Sequence, residues 1–165
     1  MKAQKNELTL LASVIKNLTD LIEKGNAHTP LDKALKDIPL SLLGERPGNL
    51  PYSIWQITEH IRIAQWDLLE FSRSEHNISP PWPEGYWPKE IAPASEDAWN
   101  KCINQLNEDR KSFIKLIEEA GDSIDKPFAY GTGQSLLKEA LVLADHNSYH
   151  AGEIIVIRRL LNNWN

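Results

Sequence analysis

Two of the five histidines in this 165-residue chain, His146 and His150, are spaced so that they could bind one metal ion. They lie four residues apart in a stretch with helical periodicity that runs from Gln134 to Leu161. Residues at positions i and i+4 share one face of a helix, with about 5–6 Å between their Cβ atoms, so both imidazoles can reach the same ion. We therefore expect a metal site on this helix, with a third ligand from elsewhere in the chain.

His60 is the best placed of the other histidines to supply that third ligand. It lies in a second stretch with helical periodicity, from Ser53 to Phe71. If the two helices pack side by side, three imidazoles meet and leave at least one coordination position open, where a metal can activate water or bind a thiolate or a carbonyl oxygen. We expect a divalent transition metal. Zinc and nickel are the preferred candidates, although iron and manganese also accept imidazole ligands.

The same histidines have a simpler interpretation as hydrogen-bonded residues of the core. Steps of three and four residues place Asn147 and His150 on an otherwise apolar stripe. That stripe consists of Leu136, Ala140, Leu143, Asn147, His150, Ile154, Ile157 and Leu161. A buried polar group without a partner costs about 1–3 kcal/mol, so these side chains need internal partners, water or a metal. Asn rather than Glu follows His146, which excludes the H-E-x-x-H peptidase motif.

Four long helices are predicted to position these residues. The first extends from Glu7 to Lys24 and carries an apolar stripe. The members of that stripe are Leu8, Leu11, Ile15, Leu18 and Ile22. A capping box of Ser53 and Gln56 begins the second helix, Ser95 begins a third that Gly121 ends, and Ser135 caps the fourth. The expected fold is an all-α four-helix bundle with long crossover connections, forming a single domain over residues 1–165.

Two long connections interrupt this helical pattern. Residues 27–52 contain four prolines and room for a short helix at Leu31–Asp37. Residues 76–93 are too rich in proline for a helix, and they carry Trp82, Tyr86 and Trp87. We expect this second loop to fold over one end of the bundle, where its aromatic side chains could line a substrate pocket or seal the end of the core.

The composition limits the possible functions. A formal net charge of −5 supplies no broad basic field, so we expect no nucleic-acid binding. The single cysteine, Cys102, cannot form an internal disulfide, and we expect it in the core of the third helix and the protein in the cytoplasm. Neither a signal peptide nor a membrane-spanning segment is expected, because charged residues interrupt the apolar pattern of residues 1–24.

Two segments resemble a known family. The residues from Ala144 to Ile154, ADHNSYHAGEI, and those from Trp55 to Asp67, WQITEHIRIAQWD, are similar to the DinB-like superfamily, also called the DinB/YfiT group. The similarity in motif order and helix layout extends from about Leu8 to Leu161, and the PWP and YWP sequences of the second loop resemble one branch of the group. The resemblance implies a four-helix bundle that holds a divalent metal through His60, His146 and His150.

The resemblance also implies a class of activity. Family members with known activity are largely transferases or isomerases that use low-molecular-weight thiols, and many others are described only as metal-dependent hydrolases. We therefore expect a metal-dependent transferase, thiol-dependent, or a hydrolase that acts on a small molecule. The alternative is a non-catalytic protein that binds a metal or a small ligand. Homodimers are common among such bundles, which makes a homodimer one expectation.

Other polar residues near the predicted ligands have two interpretations each. Glu153 and Asp145 could orient a ligand imidazole or could be solvated charges. Asn147 and Tyr149 could donate hydrogen bonds near the metal or could pack between helices. Glu59, beside His60, is expected at the surface rather than as a general base, and Gly152 is expected to allow another helix to approach closely.

Overall fold

Helices make up the regular secondary structure in the part of the chain that the structure describes, and irregular connections join them. The computed structural model describes the backbone of residues 2–164 and the side chains of residues 10–164. It contains five α-helices, which are α1 (Lys2–Lys24), α2 (Leu31–Leu35), α3 (Ile54–Arg73), α4 (Glu96–Ala120) and α5 (Leu136–Leu160). No β-strand occurs among these residues apart from an isolated bridge between Pro127 and Ser135. The all-α prediction is therefore confirmed, and none of the described helices is long and apolar enough to cross a membrane.

The helices begin where the sequence places capping residues. The Ser53 hydroxyl accepts a hydrogen bond from the Gln56 backbone N–H at 3.2 Å, and the Gln56 side chain accepts one from the Ser53 N–H at 3.3 Å. This is the predicted capping box. Ser95 and Ser135 cap α4 and α5 in the same way, through the backbone N–H three residues on. Because each cap satisfies a free N–H of the first turn, it fixes where the helix starts.

Four long helices pack in a cycle. Helix α3 contacts α4 and α5, and α1 contacts the same two helices from the opposite side. Helices α4 and α5 also touch each other, while the short α2 packs on α5. This arrangement places the histidine of α3 beside the histidine pair of α5.

Two apolar clusters fill the interior, with a polar layer between them. One includes Ile54, Ile61 and Ile154, and the other includes Phe113 and Leu143. Along α3, α4 and α5 these clusters are separated by buried polar residues, which are Gln65, Asp67, Asp109, Arg110, Asn147 and His150. Gln65 is fully buried and links three helices, because its amide nitrogen donates to the Leu106 carbonyl at 2.6 Å and its oxygen accepts from Asn147 at 3.2 Å.

The predicted stripe of α5 is confirmed. Its members from Leu136 to Ile157 are buried, Asn147 and His150 included, and Leu161 is partly buried. In α1, Leu18 is buried and Leu11, Ile15 and Ile22 pack against the second cluster. The side chain of Leu8 lies outside the described residues.

The aromatic loop takes a different course from the expected one. Its backbone carbonyls at Tyr86, Pro88 and Ile91 accept hydrogen bonds from side chains of α3 or its cap. The donors are His60, Gln56 and Ser53. The loop therefore runs alongside α3 instead of covering only one end of the helices, because these polar side chains give its carbonyl groups partners along the helix.

Candidate metal centre

The structure brings His60, His146 and His150 together. His60 lies in the second turn of α3, and His146 and His150 lie one turn apart in α5. One ring nitrogen from each lies within 4.8 Å of the other two, which makes this group a candidate to hold a metal ion. The Nε2 atoms of His60 and His146 are 3.0 Å apart.

Hydrogen bonds to the second ring nitrogen fix two of these imidazoles. The Nδ1 atom of His60 is 2.9 Å from the Tyr86 carbonyl oxygen, and the Nδ1 atom of His150 is 2.6 Å from Glu153 Oε2. Both partners can only accept when Glu153 is ionised, so each Nδ1 carries a proton and donates it. The lone pair of each ring is then on Nε2, which is the arrangement that oriented metal ligands use.

His146 differs from the other two because its second nitrogen has no such partner. Its Nδ1 is buried, and no described residue hydrogen-bonds to it. Its Nε2 faces the lone pair of His60 Nε2 at 3.0 Å, so a proton or a cation between these atoms is needed to remove the repulsion. Two nitrogens bound to one tetrahedral zinc would be about 3.3 Å apart, given Zn–N distances near 2.0–2.1 Å. The observed separation is close to this value, so the donor set fits a metal ion.

Burial keeps the three imidazoles neutral. Loss of solvent lowers the pKa of His146 to about 4, with further lowering from the neighbouring His150 and His60. Burial also lowers the pKa of His150 to about 4, and it lowers the pKa of His60. Neutral imidazole is the form that donates a lone pair to a metal, so near pH 7 no proton has to be removed before binding.

A stack of three rings holds His60 in place. The Trp87 ring lies on the His60 ring with 3.9 Å between centroids and 3° between planes. Tyr52 covers the other side of Trp87 at 3.9 Å and 13°. Trp87 was expected near the site, but Tyr52 was not, because it precedes the helix cap and no motif in the sequence marks it.

Glu153 and Asp145 occupy different environments. Glu153 accepts the hydrogen bond from His150, which is the orienting role that the sequence suggested as one interpretation. Asp145 is exposed, and no hydrogen bond joins it to an imidazole in the part of the chain that the structure describes. The spacing along α5 agrees with this difference, because Glu153 lies three residues after His150 on the same helix face, whereas Asp145 is adjacent to His146 and does not face it.

Asn147 and Tyr149 lie on opposite sides of α5. Asn147 is buried in the polar layer, where it donates to Gln65, and its Oδ1 has no partner among the described residues. Tyr149 is 65% exposed, and its ring meets the His150 ring edge-on at 4.9 Å. Asn147 therefore belongs to the packing between helices, whereas Tyr149 borders the site.

The three loop aromatics also separate into different roles. Trp87 is part of the stack on His60, whereas Trp82 lines the cavity over the histidines and remains 72% exposed, so it does not seal the end of the core. Tyr86 does not line the cavity over the histidines. Its carbonyl holds His60, and its hydroxyl donates to Asp67 at 2.5 Å. Burial, together with Asp67, raises the pKa of Tyr86 to about 12.

A cavity of about 620 Å³ opens over the histidines, which is a common size for a small-molecule site. Its walls include the three imidazoles, Glu153 and the side chains that border the site. The bordering side chains are those of Tyr52, Trp82, Trp87, Asp145 and Tyr149. The cavity is therefore partly aromatic, with two carboxylates at its edge.

Cys102 and Glu59 are both largely shielded from solvent. Cys102 is 4% exposed, in agreement with the prediction that it lies in the core. Glu59 was expected at the surface, but its side chain is only 14% exposed. It accepts two hydrogen bonds from Arg62, and this charged partner explains why a carboxylate is tolerated there.

His28 and His76 are not part of the cluster. His76 is exposed, and His28 hydrogen-bonds through Nε2 to the Ser148 hydroxyl at 2.9 Å.

A comparison with family models finds a match to the DinB superfamily over residues 25–154. No curated protein and no solved structure matches the chain. The family match spans well over half of the sequence and contains all three clustered histidines, and the chain therefore belongs to the DinB superfamily.

Proposed function

We propose that this chain is a metal-dependent enzyme that acts on a small molecule, either as a transferase that uses a low-molecular-weight thiol or as a hydrolase. Its ligands for a divalent metal, zinc or nickel, are His60, His146 and His150. The observation that carries the proposal is the convergence of three ring nitrogens within 4.8 Å, from two helices. The partners at the second nitrogens of His60 and His150 add to it, because they leave Nε2 free in both rings.

The residues of the chain prepare the site in three ways. The Tyr86 carbonyl and Glu153 set the tautomers of two ligands, and the stacked Trp87 prevents His60 from rotating. When bound by three imidazoles, a divalent metal lowers the pKa of a water or thiol at its open position. Because the three imidazoles line the cavity, a water or thiol at that open position would face the cavity.

The composition of the cavity wall supports a nucleophile that comes from outside the chain. Neither serine nor cysteine is among the described residues that line it. Burial raises the pKa of the Cys102 thiol, which keeps it protonated in the core. A water molecule or a second, thiol-bearing substrate can serve instead, and these are the nucleophiles of hydrolysis and of thiol transfer.

Elemental analysis of untagged protein, purified without added metal, tests the metal site. About one equivalent of a single transition metal is expected, and it would identify the ion. Less than about a tenth of an equivalent, unchanged after loading with zinc, nickel and manganese, would show that the histidines are structural.

Five single substitutions to alanine localise the site. We expect loss of stoichiometric metal binding in variants of the three clustered histidines and retention in variants of the two others. The clustered set is His60, His146 and His150, and the controls are His28 and His76. Circular dichroism should show a helical protein in every case. Equal retention in all five variants would contradict the assignment.

Turnover distinguishes an enzyme from a binding protein. The metal-loaded protein should convert members of a thiol-conjugation panel or of an ester and amide panel, and the activity should disappear with the His146→Ala substitution. A metal-loaded protein that is inert on both panels but binds a small molecule tightly would instead be a non-catalytic binding protein.

A further inference from the structure

A second, apolar cavity adjoins the one over the histidines. We call it the apolar chamber, and it has a volume of about 280 Å³. Its walls include Leu50, Ile57, Val156 and Ile157, with Gly152 on the same face of α5. No lysine or arginine lines it among the described residues. The chamber can therefore accept an uncharged apolar group but offers no partner for an anion.

Two residues belong to the walls of both cavities. Tyr52 and Glu153 line the apolar chamber and also the cavity over the histidines. Tyr52 is the outer ring of the stack on His60, and Glu153 accepts the hydrogen bond from His150. A molecule with its polar end at the histidines can therefore extend past these two side chains into the apolar chamber.

Gly152 leaves the chamber open without serving a close approach between helices. A Cβ atom added at this position would meet no heavy atom within 4 Å, contrary to the expectation that this glycine makes room for another helix. Glycine inside a helix is less favourable than alanine by about 0.5–1 kcal/mol. This stability is given up at a position where no neighbouring atom requires it.

We propose that the apolar chamber seats the apolar part of the small molecule whose polar group lies in the histidine cavity. The ligand is thus an amphiphile, with a metal-binding head and an uncharged alkyl or aryl tail. This assignment rests on the proposed function, which provides the site for the head. Val156 lies six residues beyond His150, roughly 9 Å along the helix axis, so the tail should extend about that far from the head.

A series of straight-chain hydroxamates, from acetohydroxamate to octanohydroxamate, tests the assignment. The hydroxamate group binds divalent metals, and the members differ only in the length of the tail. Titration calorimetry with the zinc-loaded protein should show binding about fourfold tighter for each added methylene that enters the chamber. Acetohydroxamate should report on the head site alone.

Two variants should remove the dependence of affinity on chain length without changing the affinity for acetohydroxamate. Gly152→Leu fills the chamber and should also raise the melting temperature, because leucine is a better helix former. Val156→Asp places a charge at the chamber's rim, where Val156 is 48% exposed and folding should tolerate the change. Asn104→Leu, at an exposed position of α4, is the matched control and should retain the wild-type dependence.

The His146→Ala variant separates this proposal from the proposed function. This variant should lower the affinity for every hydroxamate by a similar factor, while the longer members still bind more tightly than the shorter ones. If the wild-type protein binds no metal, the proposed function fails but the chamber can still be tested. Binding of the longer hydroxamates that tightens with each methylene would then support the chamber, and the absence of such binding would contradict it. A wild-type protein without chain-length dependence, or a Gly152→Leu variant with unchanged dependence, would overturn the assignment.

Discussion

Replacing Glu153 should weaken metal binding although this residue is not a ligand in our assignment. Its Oε2 lies 2.6 Å from His150 Nδ1 and accepts that proton. The Glu153→Ala variant leaves the N–H without this partner, and His150 can then rotate or adopt the other tautomer. Either change moves the Nε2 lone pair away from the metal.

The structure allows the size of this effect to be worked out. Loss of a partner that orients a metal ligand costs about 10–100-fold in metal affinity. Glu153 is 38% exposed, so water can partly replace it, and the lower limit of about tenfold, or 1.4 kcal/mol, is expected. Glu153→Gln retains an acceptor oxygen but loses the charge. Because charge-assisted hydrogen bonds are roughly twice as strong as neutral ones, that variant should lose about threefold.

Competition for zinc against a chromophoric chelator measures these affinities. Asp145→Ala is the matched control, because Asp145 lies on the same helix and borders the same cavity but is exposed. Its affinity should stay within about twofold of the wild type, since exposed charges interact weakly. Equal losses in the Glu153→Ala and Asp145→Ala variants, or no loss in either, would refute the orienting role of Glu153.

Three further predictions concern residues outside the ligand set. Arg158→Met should lower the free energy of unfolding by about 3 kcal/mol, since the buried guanidinium donates to the Ala34 carbonyl at 2.7 Å and to a second carbonyl nearby. Urea titration measures this change. As the control, the exposed Arg159→Met substitution should change the free energy of unfolding by less than about 0.5 kcal/mol. Iodoacetamide should label Cys102 slowly in the folded protein and rapidly in urea, because burial raises the pKa of its thiol; fast labelling of the folded protein would contradict this. Tyr86→Phe should cost about 1–3 kcal/mol of stability by removing the hydroxyl from its carboxylate partner, yet leave metal stoichiometry unchanged because the carbonyl that holds the imidazole belongs to the main chain.

Local patterns were enough to predict the helices and the histidine pair. The cap residues Ser53, Ser95 and Ser135 act on N–H groups only three residues away, so their effect can be read from the sequence. The spacing of His146 and His150 likewise fixes their shared face through helix geometry alone. His60 was expected beside them if its helix packed against α5, and the structure meets this condition. The predicted homodimer, the cytoplasmic location and the absence of nucleic-acid binding stay predictions.

The parts that sequence reasoning missed depend on contacts between distant segments. Tyr52 meets Trp87 only after the aromatic loop has returned along α3. Glu59 loses its exposure in a helix, α3, that packs against α4. Such distinctions arise from packing between elements, and no periodicity within one element encodes them.

The polar layer between the two apolar clusters adjoins the candidate site at the α5 histidines, His146 and His150. Buried polar groups there use one another as partners, and Gln65 and Asn147 show this most clearly. Yet Asn147 Oδ1 and His146 Nδ1 have no partner among the described residues, and each such atom costs about 1–3 kcal/mol. An apolar layer at this level would be more stable. Neither of these two atoms is an Nε2 atom of the proposed ligand set, so a divalent metal would offset the cost by binding the three imidazoles and not by satisfying these atoms.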